Sequence, residues 1–114
     1  MKGERAMDQK QMAMYEARAQ VVKALAHPAR LLIVDELAKQ PLCVRAIREI
    51  VGSDLSTVSK HLSVLKNAGI VEDDKRGSQV FYSLRCKCAV NFFACAETVL
   101  KTTTRDQMRL VSRK

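Results

Sequence analysis

Residues 53–69, SDLSTVSKHLSVLKNAG, decide the reading of this chain. Asp54 precedes a helical pattern, where its carboxylate suits the free backbone N–H groups of a first turn. Val58, Leu62 and Leu65 then recur at helical spacing and form one apolar stripe. The opposite face carries Ser56, Thr57, Lys60, Ser63 and Asn67, with no carboxylate after the cap. Gly69 closes the helix, because glycine accepts the positive φ that follows a last turn. A helix that is apolar on one side and set with small hydrogen-bonding groups and a cation on the other suits the major groove of DNA.

The charge balance agrees. The chain has 114 residues with 20 Lys+Arg against 12 Asp+Glu, a formal charge of +8, which favours a polyanionic partner. This length predicts one domain spanning 1–114, with a core over about 21–100 and a basic tail over 102–114. Aromatic residues make up only 4% of the chain, so the core must be aliphatic. No apolar run approaches the ~18 residues of a spanning helix, and the charged first twenty residues lack a signal peptide's apolar region. The expected setting is therefore cytoplasmic, away from membranes, with the four cysteines as reduced thiols.

Working outward, residues 6–26 give a long helical pattern with Met7, Met14, Ala17, Val21 and Leu25 along one side. His27-Pro28 interrupts it, and Pro28 suits a first helical position. A second helix runs through Arg30, Leu31, Leu32, Val34, Leu37 and Ala38 to a boundary at Pro41. Val44, Ile47 and Ile50 pattern a short third helix closed by Gly52. After residues 53–69, Ile70-Val71 opens an extended segment, 73–78 (DDKRGS) reads as a polar turn, and 79–84 (QVFYSL) as a second strand. Ala89 to Leu100 reads as a helix too apolar around its circumference for a monomer surface. The fold expected is mainly α with a β-hairpin wing, a winged helix-turn-helix. The first and last helices are its sticky surfaces.

The segments KALAHPARLLIVDEL (23–37), LCVRAI (42–47), STVSKHLSVLKNAGIV (56–71) and VFYSL (80–84) resemble the ArsR/SmtB family of bacterial metal-responsive repressors. The likeness runs from Val21 to Leu100. It implies a homodimer paired through the first and last helices. It also implies binding to a palindromic double-stranded operator and release when an inducer binds. Ser56, Thr57 and Lys60 then lie where side chains reach base edges or phosphates, with Ser59 and Ser63 flanking them. His61, nearer the apolar edge, is a packing or phosphate-contacting residue. Lys75 and Arg76 at the hairpin tip fit a wing that reaches the minor groove or backbone.

Cys43, Cys86, Cys88 and Cys95 indicate what is sensed. Three cluster as C-x-C-x6-C, and neither His27 nor His61 is near them in sequence. A site for Zn, Ni or Co would normally use imidazole and carboxylate, and the family's Asp and His arrangement on the last helix is missing. Thiolates alone select soft ions: As(III) or Sb(III) first, with Cd(II) or Pb(II) behind. Cys88 and Cys95 lie about 10.5 Å apart in rise on a straight helix, too far for bonds of ~2.3 Å to one ion. Either the helix begins after Cys88, or antiparallel last helices bring Cys88 of one protomer level with Cys95 of its partner. Cys43 lies in a segment resembling ELCVCDL of some family members. The second cysteine of that segment is Arg45 here and its acid is Pro41, so Cys43 is expected to be a small buried side chain or an auxiliary ligand.

These readings give a repressor that releases DNA on binding a soft metal or metalloid, with no organic cofactor. The alternative is a thiol redox or sulfide switch working through a reversible disulfide. Enzymatic action on nucleic acid is disfavoured, because no nucleophile with its base and no Gly-rich phosphate loop occurs. The acidic run Glu72-Asp73-Asp74 sits beside a turn and reads as solvated.

Overall fold

A computed structural model describes residues 6–112 of the chain, and three of its five helices there begin on a side chain that takes up a free backbone N–H. Helix α1 (Gln9–Leu25) starts with a capping box: Gln11 N–H donates to Asp8 at 2.8 Å, and Asp8 N–H donates to the Gln11 side chain at 3.3 Å. Helix α2 (Pro28–Leu37) is capped by His27, whose Nδ1 accepts from Ala29 N–H at 3.0 Å, with Pro28 as its first residue. Strand β1 (Leu42–Cys43) leads into α3 (Val44–Val51), which ends at Gly52 with φ 77°. Helix α4 (Leu55–Asn67) is followed by β2 (Val71–Arg76), β3 (Gln79–Leu84) and α5 (Ala89–Ser112).

The end of α4 is a Schellman stop. Gly69 N–H donates to Lys66 O at 3.0 Å, Ile70 N–H donates to Leu65 O at 3.0 Å, and Gly69 has φ 82°. This turns the chain directly into the wing. Ile33, Val34 and Leu37 of α2 pack against Val58, Leu62 and Leu65 of α4, with Ile47 of α3 beside them. Ile70, Val71 and Leu84 extend this core to the base of the sheet, and Ala24 and Leu25 attach the end of α1.

The winged helix-turn-helix expected from the sequence is present, with four differences. First, the sheet has three antiparallel strands in the order β1-β3-β2 rather than two; β1 pairs Leu42 with Tyr82 and Cys43 with Phe81. Two residues carry no alternation to read. Second, the polar turn is only Gly77-Ser78. Pairing continues through Asp73↔Tyr82, Asp74↔Phe81 and Lys75↔Val80 to Arg76↔Gln79, and Gly77 at φ 64° makes the tight reversal possible. Third, α1 starts at Gln9 rather than near residue 6, because Asp8 caps it. Fourth, α5 continues through the tail to Ser112, with Thr98 and Thr102 hydroxyls donating to Ala94 O and Thr98 O. Residues 1–5, part of the segment read for a signal peptide, and residues 113–114 of the basic tail lie outside the described residues. No helix among the described residues is long and apolar enough to cross a membrane.

Leu65 is fully buried where α4 meets the core. Leu65→Ala leaves a cavity and is expected to cost about 2–5 kcal/mol in denaturant unfolding. A loss below ~0.5 kcal/mol would show that the α4 core is not the stabilising contact.

Candidate nucleic-acid interface and thiol pair

The orientation of α4 follows from its buried side. With Val58, Leu62 and Leu65 turned inward, Ser56, Ser59, Lys60 and Ser63 are exposed and Thr57 is half-buried at the rim. At the helix start, Asp54 Oδ1 accepts from Thr57 N–H at 2.8 Å and from Ser56 Oγ at 3.1 Å. Hydrogen bonds from the Thr57 side chain, the Thr57 backbone and the Ser56 hydroxyl hold the Asp54 carboxyl below its ordinary value of 3.8, and Arg48 adds a favourable charge. The Ser56 hydroxyl is therefore already engaged within its own chain.

Of the two roles that the sequence leaves open for His61, packing or phosphate contact, the structure favours packing. His61 is 9% exposed, because it lies three residues after Val58 and four before Leu65, on the flank of the same apolar stripe. Its Nδ1 stands 3.2 Å from an Arg30 guanidinium nitrogen, and its ring centroid is 4.4 Å from that of His27. Burial is the main cause of a lowered basicity at His61, followed by the charges of His27 and Arg30.

Two further cations escaped the sequence reading. Arg45 and Arg48 are exposed on α3, beside Glu49, Gly52 and Ser53. The apolar spacing of Val44 and Ile47 leaves these two arginines on the other side, a signal that was available. Arg48 is close enough to the start of α4 to act on Asp54.

The wing is tied to α4 by Lys66 Nζ, which donates to Asp73 Oδ2 at 3.0 Å. Lys75 and Arg76 lie at the end of β2 rather than in the loop. Arg76 Nε donates to Asp74 Oδ2 at 3.1 Å, and its guanidinium sits 4.8 Å from the centre of the Phe81 ring. Both residues are exposed.

Past the other end of β3, Cys86 and Cys88 are exposed, two residues apart in the lead-in to α5. Donation from the Cys88 thiol, then from the Cys88 backbone N–H, makes the Cys86 thiol more acidic than usual, while Cys88 holds its proton more firmly. Helix α5 begins at Ala89, so both residues precede it, which matches one of the two arrangements open from the sequence. Cys95 lies inside α5, exposed, and Cys43 is half-buried at the start of α3. Among the described residues no three His, Cys, Asp or Glu side chains are grouped so as to hold an ion. The expected cluster of Cys86, Cys88 and Cys95 is thus not assembled within one protomer: Cys95 is further along a rigid helix, while the other two share its lead-in. Two sulfur donors of this kind fit a soft ion and leave its coordination incomplete.

Residues 27–73 match the model of bacterial regulatory proteins of the arsR family. An uncharacterized HTH-type transcriptional regulator of Mycobacterium tuberculosis is 30% identical over 102 residues, covering 86% of this chain and 87% of that protein. The chain belongs to the ArsR family. It is accordingly a DNA-binding transcriptional regulator and not an enzyme. The HTH-type transcriptional regulator NmtR of M. tuberculosis is 43% identical over 72 residues, 60% of each chain, so this match spans less than two thirds of that relative. Among solved structures, the homodimeric winged helix-turn-helix DNA-binding domain of a possible ArsR-family regulator from Mycobacterium bovis superposes with a TM-score of 0.75. It has 31% identity over 89% of this chain and 94% of that one.

Asp54 gives a test of the α4 cap. Its folded pKa is lowered, so its stabilisation is present above 3.8 and lost as the pH falls through the lowered value. Asp54→Ala is expected to melt below wild type at about neutral pH, with the gap closing in acid below 3.8. A gap independent of pH would exclude the carboxylate as its source.

Proposed function

We propose that this regulator is a homodimeric repressor that reads an inverted-repeat operator with α4 and releases it when a soft ion binds at Cys86 and Cys88. As(III) or Sb(III) is the first choice, ahead of Cd(II) or Pb(II). The exposed pair of thiols where the wing passes into α5, one of them more acidic than usual, carries this reading. Dimerisation is supported by the apolar side chains left exposed on α1, such as Met14, Tyr15 and Val22, and on α5, Phe92, Val99 and Leu100. The M. bovis relative is itself homodimeric.

In this reading Lys60, with Ser56, Thr57, Ser59 and Ser63 around it, meets base edges and adjacent phosphates. Arg45 and Arg48 hold the phosphate backbone beside the helix start, and Lys75 and Arg76 carry the wing to the flanking duplex. His61 takes no part in base contact. The ion is held by the Cys86 and Cys88 sulfurs, and the partner subunit's Cys95 supplies a third thiolate. Three thiolates match the trigonal-pyramidal preference of As(III). Cys43 stays outside this set. Release follows from linkage: the ion must favour the DNA-free arrangement, and a coupling of ~1–3 kcal/mol changes operator affinity about 5- to 150-fold.

The same pair of neighbouring thiols favours a second reading. An oxidant that accepts two electrons would join Cys86 and Cys88 in a disulfide with loss of two protons, and the more acidic Cys86 is the better nucleophile.

On DNA, Lys60→Ala is expected to lose about 1–3 kcal/mol for the operator and to relax sequence preference. Arg48→Ala should weaken operator and random duplex alike and reduce the salt slope by about 1, as one lost phosphate contact requires. Salt titrations followed by fluorescence anisotropy measure both. Equal loss on all sequences for Lys60→Ala would remove it from base readout.

For induction, As(III) added under reducing conditions should release wild type from DNA. Cys86→Ser and Cys88→Ser should bind DNA normally and remain bound, and Cys43→Ser should respond as wild type does. Full release of the Cys86→Ser/Cys88→Ser double variant would eliminate this site. Release by peroxide or polysulfide, with none by As(III), Sb(III), Cd(II) or Pb(II), would establish the redox reading instead.

A further inference from the structure

We propose that Arg30 and His61 form a proton-sensitive link that positions the recognition helix against the end of α1. The link rests on the reading of α4 as the groove-binding helix and of α1 as part of the dimer surface. Arg30, on the first turn of α2, reaches in two directions. Its Nε donates to the carbonyl of Ala24 in the last turn of α1 at 2.6 Å, and a terminal nitrogen stands 3.2 Å from His61 Nδ1 in the middle of α4. One guanidinium therefore joins three helices. Guanidinium has donors only, so the contact requires a lone pair on His61 Nδ1, and the ring proton resides on Nε2.

The surroundings keep His61 in that form. Among the described residues, the titratable or charged groups that act on it are His27, at the start of α2, and Arg30; none from α3 or β2 does so. The His27 ring lies 4.4 Å away, and its own Nδ1 is occupied by the Ala29 N–H of the cap. Both neighbours disfavour a second proton on His61, as does burial, so its protonation lies below the ordinary 6.5. When that proton arrives it occupies Nδ1. The acceptor becomes a donor facing a guanidinium, two positive charges meet at a nearly buried site, and the link opens. The position of α4 relative to α1, and hence the spacing of two recognition helices in a dimer, then loses one of its constraints. Arg30 and His61 are positioning residues, since neither faces the duplex.

His61→Asn is the informative variant. Its amide oxygen takes the place of Nδ1, accepts from Arg30 and does not titrate. The probe is a duplex selected by wild type from a random pool at about pH 7.5, with affinity measured down to about pH 5 at constant ionic strength. His61→Asn should match wild type at the upper pH. Below 6.5 wild type should lose about fivefold or more relative to His61→Asn. His27→Ser, which keeps a capping oxygen, should retain the wild-type step. Parallel pH profiles for wild type and His61→Asn would overturn the proposal, as would loss of the step in His27→Ser.

Imidazole nitrogen NMR of the wild-type protein supplies a second readout, which stands even where a variant fails to fold. Nδ1 of His61 should be the unprotonated nitrogen at about pH 7.5 and gain its proton in step with the fall in affinity; an Nδ1–H tautomer would overturn the link. Failure of wild type to select any sequence would instead count against the operator reading, while the NMR titration would still decide the link.

Discussion

The structure depends on one constraint: α4 must be held rigidly on one side so that its other side can be presented. Val58, Leu62 and Leu65 are each almost fully buried against α2 and the foot of the sheet. Burying such side chains is worth ~1.5–3 kcal/mol each, which locks the rotation of the helix about its own axis. That rotation decides which residues meet the solvent, so the aliphatic core fixes the exposed Ser56, Ser59, Lys60 and Ser63 as surely as any polar contact. Asp54 at one end and the Gly69 stop at the other fix the length of the helix and the direction in which the chain leaves it.

The sheet transmits that placement. Arg85 N–H donates to Ile70 O at 2.8 Å, so the two strands of the wing leave the end of α4 as one unit. The Lys66–Asp73 ion pair joins the wing to α4 across a solvent-exposed gap and contributes at most about 1 kcal/mol. Strand pairing, not this ion pair, sets the wing angle. Cys86 and Cys88 lie just past β3, beyond Arg85, and the other end of that strand carries the turn at Gly77-Ser78. A change of geometry at the sulfurs is therefore applied directly to a strand of the wing and to the first turn of α5.

Most of the fold was legible because its helices carry their own punctuation. Asp54 and Gly69 around α4, Pro28 at the start of α2 and Gly52 after α3 all stand where the structure uses them. What escaped has physical reasons. Strand β1 is two residues long and exists only through its pairing with β3. The hairpin turn looked longer than it is because Asp73 to Arg76 are turn-type residues by composition, yet they alternate along a solvent-exposed strand. Within the candidate interface, a helical wheel leaves His61 between packing and phosphate contact because it gives its flank no depth; Arg30 and His27, arriving with α2, show that the flank is covered. Among the cysteines, sequence spacing groups Cys86, Cys88 and Cys95, but spacing cannot show that α5 begins between the first two and the third, nor how two α5 helices pack.

Among the described residues the order β1-β3-β2 leaves the sheet with two free margins, and one of them, β1, is only two residues long. The other is β2, whose sequence past Val71 is Glu-Asp-Asp-Lys-Arg. Its unpaired backbone groups would otherwise be an open template on which a second sheet could grow. Charges of one sign and then the other along that margin make any strand approaching it surrender hydration at nearly every step. The cost falls on self-association at the wing, leaving the chain free to carry large apolar surfaces on α1 and α5 without the sheet adding a route to aggregation.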